Sequence, residues 1–216
     1  MLLTDPARDV PARLRADEFL LRPITVADAP RDHEAVMESR RELRLWEQSS
    51  WPEETFTVEQ NAEDLADLER RHLERRAFTY TVLDPHGPAC LGCVYIFPTT
   101  ATFLTRAAVT AVSGAEWAAV EAVVYFWIRT SQASSGLEAR LLSSLRGWLA
   151  DDWSLSRTVF VTNEQFARQV RVLQTAGLQL QFELREPGKA GTYLVYGETV
   201  HDAEHTPRGR PPRVGH

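Results

Sequence analysis

The sequence predicts a mixed α/β fold in which a central sheet of about seven strands is flanked by four helices. Three observations predict it. Val120, Val123, Val124, Tyr125, Phe126, Trp127 and Ile128 form a β-branched and aromatic run too continuous for a half-exposed strand, so it reads as a strand covered on both faces. Leu137, Leu141, Leu142, Leu145, Trp148 and Leu149 then recur at three- and four-residue spacing, the stripe of an amphipathic helix. Phe78 to Leu83 and Cys90 to Phe97 are two further β-rich runs, and the Asp84-Pro85-His86-Gly87-Pro88 between them is the chemistry of a hairpin turn.

The remaining elements follow in chain order. Residues 1–17 alternate Pro, Arg, Asp and Ala without an apolar period and read as a loosely ordered lead-in to a domain over residues 18–198. Phe19 to Thr25 is the first strand, and Asp28 caps the helix that follows, with Pro30 in its first turn. That helix is expected from Arg31 to Trp46, with Val36, Met37, Leu43 and Leu45 as apolar positions. Thr57-x-x-Gln60 is a capping-box pattern and opens a second helix through about Arg76, with Val58, Leu65, Leu68 and Leu73 inward. Pro98 to Trp117 is longer than a plain connection and reads equally as a lid or an added strand.

After the central strand and its helix, Thr158 to Val161 is a short strand. Asn163 caps a helix through Ala176, and Gly177 ends it. Leu178 to Leu184 and Thr192 to Tyr196 form a last hairpin. Residues 199–216 are rich in Pro, Gly and Arg and are expected to be disordered.

Composition narrows the function. A chain of 216 residues with net charge −6, 44% apolar and 25% charged residues is that of one soluble globular domain. A sequence pI of 5.6 disfavours nucleic acid or an anionic membrane as partner and favours basic substrates. No apolar run reaches the roughly 18 residues of a membrane span, and MLLTDPARDV is broken by Pro and charge, so a cytoplasmic protein is expected. The charge run LERRHLERR reads as a solvated helix face rather than a basic groove, because its glutamates are interspersed. Cys90 and Cys93 form a C-x-x-C, which supplies half a structural zinc site with no second ligand pair, so no metal is expected and the pair reads as buried free thiols. In a regular strand, positions three apart would face opposite sides.

Ser134, Ser135 and Gly136 stand at the mouth of the helix that begins at Leu137. The first N–H groups of a helix lack internal partners and carry the positive end of its dipole, so such a turn can cradle an anion, and can equally serve as N-cap and turn alone. This strand, turn and helix, in the frame Gly136-Leu137-Glu138-Ala139-Arg140-Leu141-Leu142, resembles the acyl-CoA pyrophosphate loop of the GNAT superfamily of N-acetyltransferases. The pattern there is Arg/Gln-x-x-Gly-x-Gly/Ala before a helix with paired Leu residues. LRPITVADAP is similar to the opening of many such chains, and TNEQFARQVRVLQTAGL to the second signature of the family. Within the loop Gly136 matches, Ala133 stands where Arg or Gln is expected with Gln132 one residue early, and Glu138 replaces the second small residue.

The resemblance implies acetyl-CoA as co-substrate, lying between the central strand and the Thr158–Val161 strand, with its pyrophosphate on the helix start. Its cofactor-binding residues would be Trp127, Ile128 and Arg129 at the end of the central strand, Gln132, Ser134, Ser135, Gly136, Leu137 and Ala139 at the turn, and Asn163 on the neighbouring strand. Direct transfer to an amine needs a base and a proton donor. Glu121, the only carboxylate in the central strand, is the candidate base. The usual acid, a Tyr four residues before the helix-ending Gly, falls on Leu173, so Tyr125 is the candidate in its place. The partner expected is a small-molecule or peptide amine, and a homodimer is common in the family. Two functions follow: an acyl-CoA-dependent N-acetyltransferase, or a GNAT-fold protein that no longer catalyses transfer and serves as a binding or regulatory module.

Overall fold

A computed structural model of the chain describes residues 3, 4 and 7–199, which form one nine-stranded sheet and six α-helices. In chain order the strands are β1 (Leu14–Arg15), β2 (Leu20–Pro23), β3 (Phe78–Leu83), β4 (Cys90–Phe97), β5 (Ala108–Ala111), β6 (Ala122–Ile128), β7 (Thr158–Asn163), β8 (Gln179–Arg185) and β9 (Tyr193–Gly197). The helices are α1 (Ala29–Glu38), α2 (Arg40–Glu47), α3 (Val58–Leu73), α4 (Thr102–Arg106), α5 (Leu137–Asp151) and α6 (Ala167–Thr175). The sheet runs β1-β2-β3-β4-β6-β7-β9-β8-β5, with every pair antiparallel except β6 and β7. A parallel pair needs a crossover, and α5 supplies it. Among the described residues no helix is long and apolar enough to cross a membrane. The expected tail lies outside the described residues from position 200 onward.

Every residue of β6 is buried, as its unbroken apolar run requires. Val124, Phe126 and Ile128 pack under Leu137, Leu141, Leu142 and Leu145 of α5, while Val123, Tyr125 and Trp127 join the cluster of Val36, Leu43, Trp46 and Leu65 from α1, α2 and α3. The strand alternates between two cores, one on each side of the sheet.

Two strands and two helices beyond the expected seven and four have local causes. Residues 98–117, left between a lid and a strand, contain α4 and then β5, which pairs with β8 at the sheet edge. The lead-in is tied down: β1 pairs with β2, Leu3 packs in the core, and Tyr80 Oη donates to Pro11 O at 2.6 Å. The expected helix over Arg31 to Trp46 is two helices broken at Ser39, whose backbone leaves helical values at φ −95°, ψ 6°. The Ser39 hydroxyl instead accepts from Thr130 N at 3.0 Å, so the break fastens the first helical layer to the turn after β6.

The Thr57–Gln60 capping box forms as expected, with reciprocal bonds of 2.9 and 3.2 Å. Leu73, expected inward, is 76% exposed, and His72 takes the buried position against Phe78 and Tyr80. Asn163 caps a turn at Gln165 rather than α6 itself, which starts at Ala167, while Gly177 ends α6 in the left-handed region as expected. Cys90 and Cys93 are free and buried. They nevertheless share one core, because the register between β3 and β4 slips at Val82/Leu83 and leaves Leu91 unpaired.

Asp32 of α1 is buried beside those thiols and accepts from Asn61 Nδ2 at 3.0 Å. Burial pushes its pKa up to about 6, so the folded chain holds a proton that the unfolded chain releases near pH 4, and stability falls as pH rises between the two. Asp32→Asn keeps the acceptor and removes the charge. It should therefore stabilise the fold at pH 7.5 by up to about 3 kcal/mol in urea unfolding, with the gain gone below about pH 4. A gain that persists at pH 3.5 would contradict this origin.

Candidate active site

The parallel ladder of β6 and β7 holds at Ala122↔Thr158, Val123↔Val159 and Val124↔Phe160 and then stops. Beyond it β6 stays with β4 as far as Gly92↔Ile128, and β7 stays with β9 as far as Asn163↔Tyr193. The two strands therefore part in a V over Tyr125 to Ile128. Backbone groups on the facing edges lose their ladder partners there and must be satisfied otherwise.

Gln169 of α6, fully buried, supplies one replacement: its Nε2 donates to Phe126 O at 2.9 Å and to Glu138 Oε1 at 3.1 Å. Glu138, in the first turn of α5 and 3% exposed, also faces Arg168 Nε across 3.1 Å. Those two atoms are ion-paired without hydrogen-bond alignment, and Glu138 Oε2, Arg168 Nε and Gln169 Oε1 are all left without a hydrogen-bond partner. Arg168 is held from its other side by Glu42 of α2, at 3.0 and 3.2 Å. Burial raises the Glu138 pKa, with the Arg168 charge opposing.

The helix start itself faces out. Ser134, Ser135, Gly136 and Ala139 are exposed, and Gly136 adopts φ +78°, where an added Cβ would meet Arg140 Nη1 at 2.7 Å. Ser135 Oγ accepts from Leu137 N at 3.1 Å, which leaves the amides of Glu138 and Ala139 with no partner among the described residues. The Glu138 carboxylate neither caps the helix nor reaches solvent. It turns inward to α6, away from those amides.

On the opposite face of β6 lies a cavity of 320 Å³ lined by Trp46, Trp51, Tyr95, Phe97, Phe103, Tyr125 and Tyr193, with Glu47, Leu68, Arg71 and Glu186. Tyr125 is the first residue of β6 past the last parallel pair, so the cavity adjoins the parting of the strands. Its hydroxyl is buried without a partner, and burial first, then the Glu186 charge, drives its pKa well above the ordinary phenol value.

The structure brings Tyr125, Gln132, Ser134, Ser135, Gly136, Leu137 and Ala139 around the end of β6 and the start of α5, and separates the five other expected residues from that role. Glu121 stands at the far end of β6, where its Oε2 accepts from Ser156 N, Ser156 Oγ and Arg157 N at 2.7, 3.0 and 2.8 Å. It fastens a turn and is not placed as a base. Arg129 is pinned to α1 by Glu34 and Glu38, holds the pKa of Glu38 alone down to about 2, and donates to Cys90 O at 3.2 Å. Asn163 has both ends of its amide taken, by Leu45 O and Gln165 N at 2.8 Å each. Trp127 points to the α1–α3 layer, with Nε1 donating to Tyr95 Oη at 3.3 Å, and Ile128 is core under α5. Leu173 is likewise core.

Sequence reasoning missed Gln169, Arg168 and Glu186. A signal existed for Gln169, which stands one helical turn before Leu173 on the buried stripe of α6, a polar residue where an apolar one belongs.

No protein-family model and no curated protein matches the sequence. Solved structures do match in fold. A ribosomal-protein-S5-alanine acetyltransferase from Vibrio fischeri superposes with a TM-score of 0.64 at 18% identity, over 89% of this chain and 98% of that one. RimL, a ribosomal L7/L12 α-N-protein acetyltransferase solved with coenzyme A, gives 0.63 at 14% identity over 85% and 94%. The microcin C7 self-immunity acetyltransferase MccE, solved with acetyl-CoA and AMP, gives 0.64 at 12% over 86% and 94%. The chain thus has the fold of the GNAT acetyltransferases, with nine strands among the described residues rather than seven.

The residues present fit the two ends of an acyl-CoA unequally. Two unpaired amides and an exposed Ser/Gly turn suit a diphosphate. At the parting of the strands the Gln169 amide, backed by the Glu138 carboxylate, already holds Phe126 O, the acceptor an extended arm would need.

Glu121→Ala should lower unfolding stability by about 1–2 kcal/mol through the three lost bonds, and leave any ligand response of the protein unchanged. Chemical denaturation with and without ligand checks both. A variant of full stability would show that Glu121 is not the fastener of residues 156–157.

Proposed function

We propose that the chain transfers an acetyl group from acetyl-CoA directly to an amine borne by a small molecule or a peptide. The observation that carries this reading is the parting of β6 and β7 beside a helix start with free amides, on a fold shared with acetyltransferases that were solved with CoA and acetyl-CoA. When bound, acetyl-CoA supplies a thioester carbonyl open to attack by a neutral amine.

The residues of this chain take the following roles. The amides of Glu138 and Ala139 bind the diphosphate end, aided by the α5 dipole. Phe126 O, now served by Gln169, would be the main-chain acceptor for an amide of the arm, with the Gln169 side chain folding back along its own helix. Tyr125, protonated in the resting protein and without an internal partner, gives its hydroxyl proton to the sulfur as the carbon–sulfur bond breaks, and the proton lost by the attacking amine returns to Tyr125 through solvent in the cavity. The acceptor amine enters from the aromatic cavity on the other face of β6.

A second reading, a binding module without transfer, is favoured by one observation. The side chains of Gln169 and Glu138 close the parting of the strands from within.

Thermal melting with acetyl-CoA in hundredfold excess over its Kd separates the two. Binding to the folded state alone is worth about 2.7 kcal/mol there and should raise the midpoint by roughly 5–11 °C. No shift at millimolar acetyl-CoA supports the module. Tyr125→Phe should then cut turnover at least about tenfold at neutral pH while keeping the shift. Unchanged turnover removes Tyr125 from the mechanism.

A further inference from the structure

The aromatic cavity has a charge pattern that the transfer reaction does not require. Its walls pack as a box: Trp46 stands edge-on to Tyr125 at 6.0 Å between centroids, Phe97 and Phe103 meet Tyr125 at 5.9 and 6.0 Å, and Tyr125 meets Tyr193 at 6.5 Å. Aromatic faces carry negative quadrupole density and attract cations. The charged groups around the box are nearly all neutralised within the chain. Arg71 is held by Asp67, which it shares with Arg70, and Glu47 is paired with Lys189 at 3.0 Å. Glu186 is the exception, since no ion pair engages it among the described residues. Burial raises its pKa, the Glu47 charge raises it further, and Lys189 only partly opposes them. Glu186 therefore stands beside several aromatic faces as a carboxylate with no ion-pair partner among the described residues.

We propose that this cavity binds an organic monocation of about single-ring size, its ammonium against Glu186 and its apolar body stacked among Trp46, Trp51, Tyr95 and Tyr125. As the class of acceptor, this rests on the transferase reading, whereas the binding itself needs no coenzyme. The ring faces supply affinity for the body, and Glu186 with the π-faces selects the charge. Lys189 and Arg71 are turned to other carboxylates, Glu47 and Asp67.

The test uses the full chain without coenzyme at pH 7.5, titrated by calorimetry and by the fluorescence of Trp46 and Trp51. The probes are phenethylammonium and its neutral counterpart 2-phenylethanol. Phenethylammonium should bind at least tenfold more tightly. Glu186→Gln should abolish that preference while leaving 2-phenylethanol unaffected, and Trp46→Leu should weaken both ligands. The preference should also fade as pH falls into the raised titration range of Glu186, because the carboxylate that selects the charge is then protonated. Equal affinities, no saturable binding of either probe by 10 mM, or a preference that survives Glu186→Gln would each overturn the proposal. A cation that binds but is never acetylated in the presence of acetyl-CoA keeps this inference and ends the transferase reading. Acetylation of amines without any charge preference does the opposite.

Discussion

After Val124 and Phe160 have paired, β6 and β7 part, β6 staying with β4 and β7 with β9. From that single loss of register the rest of the site follows. A buried carbonyl left unpaired costs about 1–3 kcal/mol, so Phe126 O must be met by something. In this chain it is met by Gln169, which then brings Glu138 and Arg168 with it. The crossover that makes β6 and β7 parallel also ends β6 at the start of α5, so the parting of the strands and a helix N-terminus are necessarily neighbours. One constraint thus produces a slot, an anion-seeking helix end and a cavity on the reverse face of the same strand.

The electrostatics around that slot are arranged to be self-sufficient. Arg129 is held by Glu34 and Glu38, and Arg168 by Glu42 and Glu138. Helix α1 meets the turn after β6 through Glu38, the hydroxyl of Ser39 at the helix break accepts from Thr130 N, and α2 beyond it carries Trp46 and Glu47 to the cavity. Nearly every cation near the slot is therefore a fastener between layers. The amides of Glu138 and Ala139 and the Glu186 carboxylate are left over, and they define what the site can accept.

Much of this architecture was legible in the residues, and the reasons are physical. Strands β3, β4 and β6 and helix α5 carry strong periodicity, and they appear within two residues of their expected bounds. The Thr57 capping box and the Gly177 terminus are short-range devices and were equally readable. What escaped notice depended on partners far away in sequence. Nothing local says that Glu121 will be claimed by residues 156 and 157, or that Arg129 will be claimed by α1. The bulge at Leu91 that sets Cys90 and Cys93 on one side belongs to the register with β3, not to β4 alone. For Glu138 the sequence showed only a carboxylate where the resembled loop has a small residue, and the inward turn to Arg168 became visible only with α6 in place.

The central claim is that Gln169 and Glu138 occupy, within the protein, the position of a ligand's extended arm. Isothermal titration of acetyl-CoA against the unaltered chain and Gln169→Ala tests it most directly. Removing the internal competitor for Phe126 O should tighten binding several-fold, by about 1 kcal/mol. Equal affinity, or no binding to either protein, would contradict it.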